Sequence, residues 1–278
     1  MLILLAVFGF YLLVLAIVAW AALHPARSPL FLAPSALGVP QEDVEFQSDG
    51  ITLRGWWVHH PSPRGVAVLC HGYVMNRSEN AALAAALYHD GFACLLFDFR
   101  SCGKSDAGRM GIGWLEQADV VAACNEAEKK NHGVPRMLIG SSMGAAACAF
   151  AVSSNPQIAE RLVLDSCYST LPSATLGWWR FIGGVPAMLL LAPVVLVAWP
   201  MARFNPFKAD VGKALSNVKC PVLIVHGLQD NLAAPRHAER NHAMTPDSKH
   251  VTFEDCGHSE SRWSRPDDLL AAIRAFYP

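Results

Sequence analysis

The sequence is poor in charge. Of its 278 residues only 16% are Asp, Glu, Lys or Arg, with 22 basic against 23 acidic side chains and a formal net charge of −1. No field of either sign is available to draw in DNA, RNA or an anionic surface, so a nucleic-acid partner is not expected. Cysteine is dilute, eight residues with no CxxC pair, which excludes a disulfide-built scaffold. G-x-x-x-x-G-K-[ST], G-x-G-x-x-G and H-E-x-x-H are missing as well, so nucleotide and zinc chemistry lose their usual sequence support. His59-His60 and Asp267-Asp268 are adjacent pairs, a poor arrangement for converging ligands. No metal and no cofactor are expected. What is abundant is apolar side chains, 53% of the chain, a composition that excludes disorder and points to a membrane element.

Residues 1–23, MLILLAVFGFYLLVLAIVAWAAL, carry no charged side chain. At about 1.5 Å per residue, some 20 such residues cross a hydrocarbon core of about 30 Å. This segment is expected to be a transmembrane anchor, with Trp20 placed as an interfacial aromatic and Tyr11 unusual within the span. A cleaved signal peptide is the rival, since Ala19-Trp20-Ala21 has the small-x-small pattern. The missing basic n-region and the length of the apolar stretch favour the anchor. Arg27, just beyond the segment, places the rest of the chain in the cytoplasm by the positive-inside tendency. Cysteines in apolar runs (Cys70, Cys94, Cys148) are consistent with a reducing compartment.

Residues 24–43 carry four prolines and read as a linker. From Val44 to Pro278 the pattern is that of one domain. Val44–Gln47 and Ile51–Arg54, split by Asp49-Gly50, make an alternating pair joined by a turn. Short continuous apolar runs then alternate with helical stretches. The runs are Val66–Cys70, Ala93–Phe97, Arg136–Gly140, Leu162–Leu164, Pro221–Val225 and Val251–Phe253. Apolar strands alternating with helices predict an α/β fold, a mostly parallel sheet covered on both faces. About residues 168–217 the alternation stops, and a Trp178-Trp179 pair precedes a Leu-, Val- and Ala-rich run from Phe181 to Trp199. An insertion of this size is expected to be a cap over the strand ends.

Gly140-Ser141-Ser142-Met143-Gly144 matches G-x-S-x-G between a strand and an Ala-rich helix, the context of a nucleophile elbow. Ser142 at the helix N-terminus would need a base, itself oriented by an acid. This architecture requires the chain order nucleophile, acid, histidine. Asp230, in the turn after Val222–Gly227, and His258, in the loop after Val251–Phe253, fit that order at the sheet edge where open α/β folds bind ligands. Asp165, at the end of another strand, competes with Asp230 for the role of acid, whereas Asp255 is too near His258 in the chain. The oxyanion hole is expected from the backbone N–H of Met143 and from that of Tyr73, in the loop His71-Gly72-Tyr73, where Gly72 would let the backbone approach a substrate.

Five landmarks in this order resemble the α/β-hydrolase fold superfamily from about Val44 to Pro278. They are His71-Gly72-Tyr73, Asp98-Phe99-Arg100-Ser101-Cys102-Gly103-Lys104-Ser105, Gly140–Gly144, Gly227-Leu228-Gln229-Asp230 and Gly257-His258-Ser259. Within it the chain is similar to the lipase, monoacylglycerol-lipase and serine-aminopeptidase-like group. The resemblance implies hydrolysis through an acyl-enzyme and a structural role for Asp98 and Arg100. Ser101 stands where such relatives often carry Gly. The resemblance leaves the substrate open, because the fold hosts many.

The Phe181–Trp199 run is long enough to span a bilayer, yet Pro186 and Pro193 interrupt it. A second crossing would also put Ser142 and His258 on opposite sides of the membrane. Either its apolar face is buried over the active site, or it also touches the lipid surface beside the anchor. In both cases Trp178, Trp179 and Phe181 are candidate substrate-binding residues. The expected function is a serine ester hydrolase acting on a small, lipophilic, short-to-medium acyl or lipid-derived ester. Amide or peptide hydrolysis by the same residues is the alternative, and an inert pseudo-hydrolase that binds a ligand or partner is a third.

Overall fold

The structure, a computed structural model, describes residues 1–277. Strands β1 (Glu42–Ser48) and β2 (Ile51–Val58) form a hairpin on Asp49-Gly50, both at positive φ. Six strands follow: β3 (Gly65–Cys70), β4 (Phe92–Phe97), β5 (Arg136–Ser141), β6 (Arg161–Asp165), β7 (Val222–Gly227) and β8 (Ser248–Phe253). They assemble as one eight-stranded sheet in the order β1-β2-β4-β3-β5-β6-β7-β8. Pairing is antiparallel for β1–β2 and β2–β4 and parallel from β4 to β8.

The apolar runs are strands because both their faces are covered. Every residue of β3, β4 and β7 is buried, as a parallel sheet between two helical layers requires. One layer packs α3 (Gln117–Lys130), α4 (Met143–Ser154), α7 (Val211–Leu215) and α8 (Arg236–Met244) on Val66, Val68, Leu95, Leu138 and Leu162. The opposite layer packs α2 (Ala81–His89) and α10 (Pro266–Phe276) on Ala67, Leu69, Leu96, Ile139 and Val225. Between α8 and α10 lie β8 and the short helix α9 (Ser261–Ser264). All eight cysteines are free thiols, seven of them buried, and act as small apolar side chains.

The cap between β6 and β7 holds α5 (Leu171–Leu191) and α6 (Val194–Ala202). Thr170 caps α5 by accepting the Ser173 N–H, and the helix breaks at Gly183 and Gly184, where the backbone leaves helical angles. At the start of the chain, α1 (Leu2–Leu23) is one uninterrupted helix. Its last three turns pack on the cap, with Leu15 and Ala19 buried against Val194 and Val195. Tyr11, the odd residue of the apolar run, donates its phenol to the carbonyl of Leu190 at 2.6 Å. The rest of α1 is bare. Leu2, Ile3, Leu4, Leu5, Phe8 and Phe10 are exposed.

Residues 24–41 do not run freely between helix and sheet. Arg27 bonds the Gly103 carbonyl, the Phe31 N–H donates to Ser78 Oγ, and Asn76 Nδ2 donates to the carbonyls of Ser28 and Pro29. Four prolines make this stretch stiff, and the domain surface supplies the donors and acceptors its backbone needs.

Candidate active site

Ser142 sits between the end of β5 and the start of α4, with φ 50° and ψ −111°. This strained backbone is held by its N–H, which donates to the Asp165 carbonyl at 2.8 Å. The flanking glycines are obligatory. A Cβ on Gly140 would lie 2.5 Å from Ala145, and one on Gly144 would lie 2.4 Å from the Cys70 carbonyl oxygen. Strand and helix meet at backbone contact, and the serine is lifted out at the strand's C-terminal edge.

The loops after β7 and β8 bring up two further side chains. Gly227 ends β7 against the second loop, where a Cβ would sit 2.2 Å from the Cys256 carbonyl oxygen. Asp230 is buried, and its Oδ1 accepts the N–H groups of Leu232 and Ala233 at 2.9 and 2.8 Å. Its Oδ2 lies 2.7 Å from His258 Nδ1, and His258 Nε2 lies 2.8 Å from Ser142 Oγ. An ionised carboxylate only accepts, so Nδ1 carries the proton and Nε2 is free to accept from the serine hydroxyl. Asp165, the competing acid, is taken up elsewhere. Its Oδ2 accepts from Arg262 at 2.8 and 3.2 Å.

Two unused N–H groups border the serine. Tyr73 and Met143 line the same cavity as Ser142 and His258, and neither backbone N–H donates to an acceptor among the described residues. Gly72 is less constrained than the elbow glycines. A Cβ there would meet Glu79 and Ser142 at an ordinary 3.7 Å. The loop is shaped instead by His71, which is fully buried. Its Nε2 accepts the Phe99 N–H at 3.0 Å, so Nδ1 donates to the Gly72 carbonyl at 2.7 Å. Burial lowers the His71 pKa below its ordinary value, in keeping with that neutral tautomer.

Beneath the serine runs a buried polar network that pattern reading missed. Glu79 Oε2 accepts the Gly72 N–H at 2.7 Å, and its Oε1 accepts the Ser141 hydroxyl at 2.9 Å. The Ser141 hydroxyl lies 3.0 Å from that of Ser259, beside His258. One carboxylate thus ties the Tyr73 loop, the elbow and the histidine loop together, with Arg262 3.7 Å away as its counter-charge. No local spacing announces a partnership between residues 62 positions apart.

The Asp98–Ser105 stretch is architectural. Asp98 accepts the N–H groups of Arg77 and Lys104, both at 2.8 Å, and Arg100 pairs with buried Asp119 at 2.7 Å. Ser101 occupies a left-handed position, φ 63°, and its hydroxyl accepts the Gly108 N–H at 2.9 Å. That side-chain bond offsets the missing glycine.

The cavity above Ser142 has a volume of about 270 Å³. Leu171, Ala174, Trp178 and Trp179 of α5 roof it, with Ile112, Met75 and Trp263 at the sides. Phe181 is a correction to the sequence-based expectation. It is 59% exposed and does not line the cavity, because α5 has by then run past the rim and nothing lies beneath that face. Phe181 belongs instead to an outward apolar surface with Ile182, Val185, Leu189, Leu196 and Trp199, so the cap's apolar run is not simply buried.

Comparison with known proteins agrees with this layout. A family model described as serine aminopeptidase, S33, of the hydrolase type, matches residues 61–211. An uncharacterized protein of Mycobacterium tuberculosis is 30% identical over 258 residues, covering 91% of this chain and 84% of its own. A monoacylglycerol lipase of Mycolicibacterium smegmatis is 24% identical over 206 residues, 63% of this chain and 74% of its own. Among solved structures, an esterase of Pyrococcus furiosus superposes with a TM-score of 0.75 at 23% identity, covering 92% of this chain and 97% of its own, a likeness of fold. With more than half of its length under that family model, and with a sheet order and helical layers to match, this chain belongs to the serine aminopeptidase S33-like family of α/β hydrolases.

Proposed function

We propose that this chain is a membrane-anchored serine hydrolase that cleaves carboxylic esters of lipophilic acyl groups. One observation carries the reading: the hydrogen-bonded series Ser142, His258, Asp230, at 2.8 and 2.7 Å, on the floor of an apolar cavity. Ser142 Oγ attacks the ester carbonyl carbon while its proton passes to His258 Nε2. Asp230 holds the imidazole tautomer and stabilises its cation. The N–H groups of Tyr73 and Met143 receive the tetrahedral oxyanion. Collapse breaks the ester C–O bond, and the imidazolium gives its proton to the leaving alcohol. Water, deprotonated by the same imidazole, then attacks the acyl-enzyme, releases the carboxylic acid and restores the serine. No cofactor enters these steps.

Esters are favoured over peptides by the cavity's charge. An aminopeptidase needs a free carboxylate for the substrate ammonium. Glu79 is the one charged side chain of the lining, and its oxygens are engaged by Gly72, Ser141 and Arg262. The esterases among the structural neighbours and the monoacylglycerol lipase relative point the same way.

The membrane part rests on α1, 22 apolar residues, and on the exposed face of the cap beside it. Leu15 and Ala19 are buried against Val194 and Val195 of the cap, so cleavage after residue 21 would strip away part of the cap's packing. That favours a retained anchor over a signal peptide. Arg27 and the free thiols favour a cytoplasmic domain.

Labelling with a fluorophosphonate probe tests the reading, together with hydrolysis of p-nitrophenyl esters against amino-acid p-nitroanilides. Labelling lost in Ser142→Ala and esters cleaved well ahead of anilides are expected. Anilide turnover without esterase activity would transfer the same residues to the peptidase reading. An unreactive Ser142 would favour a ligand-binding pseudo-hydrolase.

A further inference from the structure

The cavity over Ser142 does not end at the cap. Ala22, Ile112, Leu171, Thr175 and Trp179 also border a second, narrower cleft. Its remaining walls are Ala19 and Leu23 of α1 on one side and Val194, Val195, Ala198 and Ala202 of α6 on the other, with Gly111, Phe204 and Pro206 completing the lining. Thr175 is the one polar side chain of that lining apart from the Trp179 indole, whose buried N–H has no acceptor among the described residues. The cleft therefore adjoins the serine cavity and lies at the seam between α1 and the cap. The helices bordering this seam carry the exposed apolar faces of the molecule.

We infer that this seam is the acyl-chain site, and that α1 is a wall of the substrate pocket as well as an anchor. The inference rests on the ester-hydrolase reading and narrows it to esters of one long, unbranched acyl chain. Three features argue for that occupant. The cleft shares five lining residues with the cavity over the serine. Its lining holds no charge and almost no hydrogen-bonding group, so a polar guest would lose its partners in water without replacement. The α6 side of the cleft is all alanine and valine, which leaves a narrow slot that a flexible single chain fills and a ring or second chain does not. With α1 in a bilayer, the same seam would let a chain pass from lipid to serine without crossing water.

The test compares p-nitrophenyl butyrate with p-nitrophenyl palmitate, using the full chain in detergent micelles. Wild type is expected to hydrolyse both. Ala198→Leu, from the cap, and Ala19→Leu, from the anchor, each narrow the slot, and each should lower the palmitate-to-butyrate ratio of kcat/KM by about tenfold or more. Fluorophosphonate labelling of both variants verifies that they are folded with an intact serine. Ala198→Val, a smaller change, should shift the ratio the same way by less, should the leucine variant fail to fold. A ratio unchanged in labelled Ala19→Leu overturns the role of α1, and a ratio unchanged in all the variants overturns the seam as the acyl site. So does a wild type that cleaves butyrate and rejects palmitate. These outcomes leave the ester-hydrolase reading standing, whereas a wild type that neither labels nor cleaves either ester removes that reading itself.

Discussion

Asp165 and Arg262 form a buried ion pair, 2.8 Å between Oδ2 and Nη2, one strand away from the serine. The pair separates two carboxylates that sequence order alone leaves in competition. Asp165→Asn should act on stability, because removing one partner of a buried pair costs about 3–5 kcal/mol. Esterase activity per folded molecule should stay within about tenfold of wild type. Asp230→Asn should do the reverse, lowering kcat by on the order of 10⁴ while the melting temperature changes little. Calorimetry and initial rates on the same preparations separate the two.

In the proposed reaction Glu79 would be a positioning residue, since it reaches the serine through Gly72 and Ser141. Glu79→Gln keeps the shape, but one of its two acceptor positions becomes a donor. The Tyr73 loop and the elbow then lose their common tie. We expect kcat to fall by about 10–100-fold with KM nearly unchanged, the signature of an interaction felt in the transition state. A purely structural role would lower thermal stability and leave the kcat of the surviving fold intact.

Acid should destabilise the fold through buried histidines. Burial, reinforced by Arg236 and His226, lowers the His237 pKa from 6.5 to about 4, and its Nδ1 lies 2.8 Å from Ser169 Oγ. Burial lowers that of His71 as well. Between the folded and unfolded values the unfolded chain binds more protons, so stability falls as pH drops through that window. Above about 6.5 neither group contributes a slope. Melting temperatures should be flat from pH 8 to about 6.5 and decline toward about 4. His237→Gln, which keeps a side-chain acceptor for Ser169, should flatten part of that decline.

Gly144→Ala is expected to abolish activity together with folding. The added methyl meets the backbone oxygens of Cys70 and His71 at 2.4 and 2.5 Å, and a strand cannot withdraw as a flexible side chain can. Expression trials with soluble yield and labelling as readouts would check this.

Much of the candidate site's geometry could be read in the chain because its signals are local. The strand–turn–helix context of Gly140–Gly144, and turns bearing Asp230 and His258 after apolar strands, each occupy a few consecutive residues. What could not be read depends on contacts between distant segments. Glu79, Ser141 and Arg262 meet only when three loops converge. Phe181 looks like a third aromatic beside Trp178 and Trp179, yet the domain ends beneath it, and no sequence pattern marks where a helix overruns its support. Docking of α1 on the cap left one trace in the sequence, Tyr11, a polar hydroxyl inside an apolar run that has to find an acceptor.

Gly184, at φ 68° and ψ −163°, decides a matter of parity. By composition alone, 171–191 counts as a second membrane crossing. The break at 183–184 leaves pieces of about 18 and 10 Å, too short for a hydrocarbon core of about 30 Å. For any bilayer that α1 traverses, the number of traverses is then odd. With α1 across a bilayer, Met1 and Tyr277 would emerge into different compartments, and a reporter fused at one end should be shielded from a protease that removes a reporter fused at the other.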